Sequence, residues 1–184
     1  MSSSTNRFTP MRMMGFVLIV VLALFVINRI ASRHAEEAAN ATAPADRRPA
    51  PDFQVATLAG GTWSLAAQKG HVVLINIFAT WCPPCRAEMP DMVRMAHDFG
   101  PKGVSFLALS MDQDGPAVVR PFVKKYGMDF PVAMAEPGNP ITADVTGIPV
   151  TMIIDREGRV ARTYVGMITP EKVRADLDAL LSGK

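Results

Sequence analysis

Three kinds of hydrophobic pattern follow one another along the chain. Between Arg12 and Arg29 lie sixteen uncharged residues, of which Phe16 to Ile27 are wholly apolar. At about 1.5 Å of helical rise per residue, such a run sits near the lower limit for a hydrocarbon core of roughly 30 Å, so the flanking arginines must snorkel. From Ala31 the chain turns Ala-rich, with Pro44 and Pro49 and interspersed charges, and has too few large apolar residues to bury anything. Beyond Pro51, apolar runs separated by turn residues begin. These shifts predict a head over residues 1–12, a membrane anchor or signal-anchor over 13–30, a flexible spacer over 31–50 and a folded domain over 51–184.

Within the domain, Trp63 to Leu65 predicts a short strand. His71 to Phe78 is a continuous, largely β-branched run of the kind buried on both faces of a sheet. Ala87 to Phe99 reads as helix with a kink at Pro90, and Val104 to Ser110 as a second buried strand. Val118, Val119, Phe122, Val123 and Tyr126 recur at helical spacing between Pro116 and the terminating Gly127. Pro149 to Ile154 and Val160 to Val165, joined by the turn Asp155 to Gly158, predict a hairpin. Thr169, Pro170 and Glu171 form a helix start, and Val173, Leu177, Leu180 and Leu181 give that last helix one apolar face. The order β-β-α-β-α-β-β-α predicts an α/β layered fold with a central mixed sheet and helices on both faces.

Composition narrows the function classes. A formal net charge of +2, with no basic run interleaved with aromatics, argues against nucleic acid as a partner. At 184 residues there is room for one domain and its appendages. A retained anchor is expected over a cleaved signal peptide, because the first small-x-small triplet, Ala39 to Ala41, stands more than ten residues past the apolar run. The flanking charges favour an inside N-terminus only slightly.

The chemistry lies in the two cysteines. Cys82 and Cys85 are separated by Pro83 and Pro84 and form one local unit that cannot staple distant segments. They follow a buried strand and open a helix, where unsatisfied N–H groups and the positive end of the macrodipole stabilise an anion. Cys82 at the cap is therefore the expected thiolate nucleophile, and Cys85, one turn on, the resolving thiol. A zinc half-site is the competing reading, but it needs two further ligands and the histidines, His34, His71 and His97, are scattered. An inert structural disulfide closes too little chain to stabilise much. Met89, Met92 and Met95 recur every third residue on the same helix, which raises copper binding as an alternative, although methionine at that spacing is usually core filler.

The stretch from Leu74 to Pro90, with Trp81 before the dithiol, Pro90 five residues after it and Gly147-Ile148-Pro149 downstream, resembles the thioredoxin superfamily. Within it, the chain is similar to the TlpA/ResA-like membrane-anchored thiol:disulfide oxidoreductases, over roughly residues 50 to 182. The resemblance implies a thioredoxin-like domain with a redox-active Cys82–Cys85 disulfide. It implies that Trp81, Pro83, Pro84, Ile148 and Pro149 form the substrate-docking surface, with Pro149 as a cis-proline beside the dithiol. It implies further that Glu88, three residues past Cys85, tunes the thiols or accepts a proton from Cys85, and that residues 131–147 are an added strand and helix. The buried acid that thioredoxins carry six residues before the first cysteine is here Asn76, which makes Glu88 the proton handler.

From the resemblance also follow a bacterial inner-membrane location with the domain in the periplasm, and protein substrates carrying disulfides, such as those of cytochrome c or respiratory copper-site assembly. A membrane thiol-electron donor is expected as partner, and no cofactor or metal. Against a peroxidase of the peroxiredoxin type, Thr80 stands two residues before Cys82 rather than three. A DsbA-like oxidase needs an inserted helical domain for which the chain lacks length.

Overall fold

The structure, a computed structural model, describes residues 17, 19–29 and 47–183. The chain divides into two units, Met1–Ala41 and Thr42–Lys184. In the first, residues 19–29 form helix α1, with exposed apolar side chains and the Arg29 guanidinium 5.8 Å from the centre of the Phe25 ring. Among the described residues no helix is long and apolar enough to cross a membrane. The expected head over 1–12, part of the expected anchor and the spacer up to residue 46 lie outside the described residues.

The second unit is built on a five-stranded mixed sheet of order β5-β4-β3-β6-β7, comprising β3 (Val72–Phe78), β4 (Val104–Ser110), β5 (Val132–Met134), β6 (Val150–Ile154) and β7 (Val160–Val165). β3, β4 and β5 are parallel, whereas β6 and β7 run antiparallel to their neighbours. β3 is central and every one of its residues is buried, as its unbroken apolar run requires. Two helices, α2 (Pro83–Phe99) and α3 (Pro116–Tyr126), connect the parallel strands, and α4 (Pro170–Leu181) closes the chain. α3 stops at Gly127, whose φ of 65° is the left-handed conformation that glycine adopts without steric cost.

The helices do not cover both faces. Both crossovers, β3–α2–β4 and β4–α3–β5, step the same way across the sheet, so right-handed connections put α2 and α3 on one side. One core accordingly joins Leu74, Phe78, Phe106 and Ala108 of the sheet to Met89, Met92, Met95 and Phe99 of α2, Val119 and Phe122 of α3, and Val173 and Leu177 of α4. On the other side, Val73, Ile75, Ile77, Leu107 and Leu109 pack against Phe53, Val55, Trp63 and Leu65. These last residues belong to or flank a separate antiparallel pair, β1 (Gln54–Ala56) and β2 (Thr62–Ser64). The hairpin is joined to β5 by the Leu58 N–H donating to the Val132 carbonyl at 2.8 Å and by a bridge between Thr57 and Ala133. Apolarity on both faces of β3 and β4 correctly predicts two cores, but a β-hairpin and a 3-10 turn at Pro140–Thr142 replace the helices expected on the second face.

Candidate active site

β3 delivers the chain from the centre of the sheet to the start of α2, and the dithiol stands at that junction. Cys82 is the N-cap of α2 in an extended conformation, with Pro83 and Pro84 in the first helical positions. Prolines carry no N–H, so the first amide of the helix able to donate is that of Cys85, and it donates to Cys82 Sγ at 3.3 Å. The two cysteines are joined as a disulfide. Cys82 is 3% exposed and Cys85 is fully buried, so an incoming partner reaches Cys82 first. Once the bond is reduced, a thiolate on Cys82 keeps the Cys85 amide and the helix dipole as its stabilisers.

Across from the disulfide, the Ile148–Pro149 peptide bond is cis, and the Ile148 carbonyl oxygen lies 3.9 Å from Cys82 Sγ. The Pro149 carbonyl in turn accepts from the Gly166 N–H at 2.8 Å. Pro83 and Pro84 are exposed, Ile148 is half-buried and Pro149 buried. Trp81 is 65% exposed, a surface residue next to Cys82 rather than core packing. Met167, two residues past the end of β7, is similarly exposed.

Three residues past Cys85 on α2, Glu88 is 2% exposed. Its Oε1 accepts from Asn76 Nδ2 at 2.9 Å and its Oε2 from the Ile168 backbone N–H at 3.2 Å. Burial pushes the Glu88 carboxyl above the usual range; the hydrogen bonds from Asn76 and Ile168 oppose this only in part, and the charge of Asp91 adds to it. Asn76 reaches Glu88 from β3 and also donates to Thr151 Oγ1 at 3.1 Å, because Asn76 and Thr151 are register partners in the β3–β6 pair. The loop from Gly166 to Ile168 thus touches both Pro149 and Glu88.

A further device was not singled out in the sequence. Asp112, just past β4, accepts from the Thr80 N–H at 2.9 Å and the Thr80 hydroxyl at 2.6 Å, and from the Ser110 hydroxyl at 2.7 Å. It ties the loop that carries Trp81 and Cys82 to the end of β4. The one signal for it is an acid directly after a buried strand, too common a feature to stand out.

Met89, Met92 and Met95 lie in the core against the sheet. They are packing residues and offer no thioether to an ion at the surface. Among the described residues no group of three or more His, Cys, Asp or Glu could hold a metal ion.

Comparison with known proteins agrees with this arrangement. The model of the AhpC/TSA family matches residues 47–176. The chain is 37% identical over 132 residues to the thiol-disulfide oxidoreductase ResA of Bacillus thuringiensis, covering 71% of this chain and 75% of that one. It is 35% identical over 130 residues to the thioredoxin-like protein YneN of Bacillus subtilis, covering 70% and 76%. Among solved structures, a thiol:disulfide interchange protein of the thioredoxin family from Chlorobium tepidum superposes with a TM-score of 0.65 at 32% identity, covering 76% of this chain and 99% of that one. With a disulfide at a helix cap, a cis-proline facing it and a thioredoxin-like sheet behind it, the chain belongs to the AhpC/TSA family and is a thiol-disulfide oxidoreductase.

Proposed function

We propose that this protein is a membrane-anchored, extracytoplasmic reductase of specific protein disulfides, working through Cys82 and Cys85. The observation that carries the reading is the pairing of an outer cysteine at the helix cap with a fully buried partner, three residues before the buried Glu88 on the same helix. In the reduced domain, the Cys82 thiolate attacks a substrate disulfide. A Cys82–substrate bond forms, the substrate S–S bond breaks, and one substrate sulfur leaves with the electron pair and is protonated. Glu88 then takes the proton from the Cys85 thiol, and the Cys85 sulfur attacks Cys82 Sγ. The second substrate sulfur leaves, and the disulfide seen here is the product.

Trp81, Pro83, Pro84 and the Ile148–Pro149 segment surround Cys82 and serve as the docking surface. A substrate strand laid against Ile148 finds a backbone carbonyl next to the reacting sulfur. The anchor reading rests on the apolar run from Phe16 to Ile27. An oxidising space outside the membrane is where a tethered reductant has work, since the bulk compartment there already oxidises thiols. ResA-like character suggests haem-binding cysteines of apocytochromes c or cysteine copper sites as substrates, and a membrane thiol transporter as the source of electrons.

Equilibration of the full-length protein with dithiothreitol or glutathione buffers tests the direction of flow. A potential near that of thioredoxin, about −270 mV, supports a donor of electrons; one near about −120 mV, as for DsbA, reverses the arrow.

A further inference from the structure

Asn76 is 2% exposed, and its two polar atoms are treated very differently. Nδ2 donates twice, to Glu88 Oε1 and to Thr151 Oγ1. Oδ1 is buried and has no hydrogen-bond partner. A buried acceptor without a donor is costly, and native interiors rarely keep one.

The chemistry of the neighbours offers a use for it. A carboxamide has nearly the same shape when turned by half a turn about its terminal torsion, which is broad and roughly two-fold, but the turn exchanges donor and acceptor. With Nδ2 toward Glu88, the amide serves a charged carboxylate. With Oδ1 there, it serves a protonated one, whose Oε1–H needs an acceptor. Thr151 suits either setting, because a hydroxyl can accept from Nδ2 or donate to Oδ1. The Ile168 N–H holds Glu88 Oε2 in both. On the far side of the amide Oδ1 already lacks a donor, so the setting seen here carries an unsatisfied polar group of its own.

We infer that Asn76 is a positioning residue with two settings, its amide turning over as Glu88 gains or loses a proton, so that a sealed carboxyl keeps a hydrogen-bond partner in both states. The groups facing Glu88 are Asn76 from β3, the Ile168 amide before α4 and, on α2 itself, Asp91 as the other charged group that bears on it. In the disulfide form the cysteines carry no titrating proton, so in that form Glu88 itself drives the turn. The coupling to exchange rests on the reading of Glu88 as acceptor of the Cys85 proton: as Cys85 gives up its proton, the amide turns and the neutral acid is held in place. Thioredoxins set an acid at the position of Asn76; here an amide at that position and an acid on the helix divide the task.

The test is solution NMR on the oxidised full-length protein. The Glu88 carboxyl is followed by its carbon shift, and the Asn76 side-chain amide protons by their through-space contacts to Thr151. The expected result is that those contacts are strong above the Glu88 midpoint and lost below it, with one shared midpoint. In Glu88→Gln, whose Nε2 must donate to Asn76 while its oxygen accepts from Ile168, the acid-side pattern should hold at every pH. If the Asn76 contacts stay constant while Glu88 titrates, the inference is overturned; should Glu88→Gln not fold, the native titration decides alone. The pH profile of mixed-disulfide resolution is read separately. A Glu88→Gln profile matching the native one removes Glu88 as proton acceptor but leaves the two-setting amide standing.

Discussion

Thr80 hangs from Asp112 by both its backbone N–H and its hydroxyl, and Cys82 is only two residues further on. The loop between β3 and α2 is a tight turn closed by the Cys82 N–H donating to the Ala79 carbonyl at 3.2 Å, and the Asp112 carboxylate ties that turn to the end of β4 beside Cys82. Asp112→Ala leaves the Thr80 amide, the Thr80 hydroxyl and the Ser110 hydroxyl without their acceptor, and should cost about 2–4 kcal/mol. Thr80→Val removes one of the three bonds and should cost about 1–2 kcal/mol. Urea unfolding measures both. Alkylation of reduced Cys82 should also slow in Asp112→Ala, and an unchanged alkylation rate would show that the clamp does not aim the thiol.

Trp81 presents most of its ring to solvent beside a nearly covered sulfur. An exposed aromatic there adds little to the fold but offers a large, rigid contact to a docking chain. Trp81→Ala should change stability by less than about 0.5 kcal/mol. It should raise KM for a protein disulfide about tenfold, the loss of one ordinary interface anchor, while a small disulfide such as oxidised glutathione is reduced at nearly the native rate. Equal losses on both substrates would place the ring in the chemistry and not in docking.

How far the sequence reveals this site depends on the length over which each signal repeats. β3, β4, β6 and β7 are runs of five to seven residues and stand out by composition and by the turns between them. β1 and β5 have three residues each, too few for any alternation to register, and both exist because a neighbouring strand offers them partners. Apolarity on both sides of β3 states that something covers each face without stating what, which is why the hairpin over the second core could not be read. At the site, Cys82 and Cys85 are legible because their close spacing and the prolines between them mark a helix start, whereas a role for Glu88 is implied only by the family resemblance. Asp112 and Thr151 are separated from the dithiol by tens of residues, and only strand register places Thr151 beside Asn76.

Met92 is 1% exposed and packs with Met89 and Met95 between α2 and the sheet. Met92→Ala should destabilise by about 2–5 kcal/mol through lost burial and a cavity, and Met92→Leu by less than about 1.5 kcal/mol. Neither should alter how the reduced protein competes with a chelator for Cu(I). A loss of Cu(I) retention in Met92→Leu, with stability kept, would return the thioether to a metal site and revive copper delivery as a function.

Glu88 makes stability depend on pH in a direction opposite to that of an ordinary surface acid. Burial is the larger influence and raises its pKa in the folded chain, despite the bonds from Asn76 and Ile168 that favour the anion. The folded state therefore binds this proton more tightly than the unfolded chain does, where glutamate titrates near about 4.3. Wherever the folded state holds more protons, stability falls as pH rises. The contribution of Glu88 is thus most favourable below the ordinary glutamate range, is lost as pH climbs from there through the raised value, and is constant above it. Glu88→Gln removes the proton and keeps the shape. Its stability relative to the native protein should rise through that same window and level off on the alkaline side, while reduction of protein disulfides slows. Unfolding curves for the two oxidised proteins across the acid-to-neutral range measure the difference; a difference that does not vary with pH would mean that Glu88 keeps its ordinary acidity when buried, and the carboxyl would then be ionised too readily to return a proton at neutral pH.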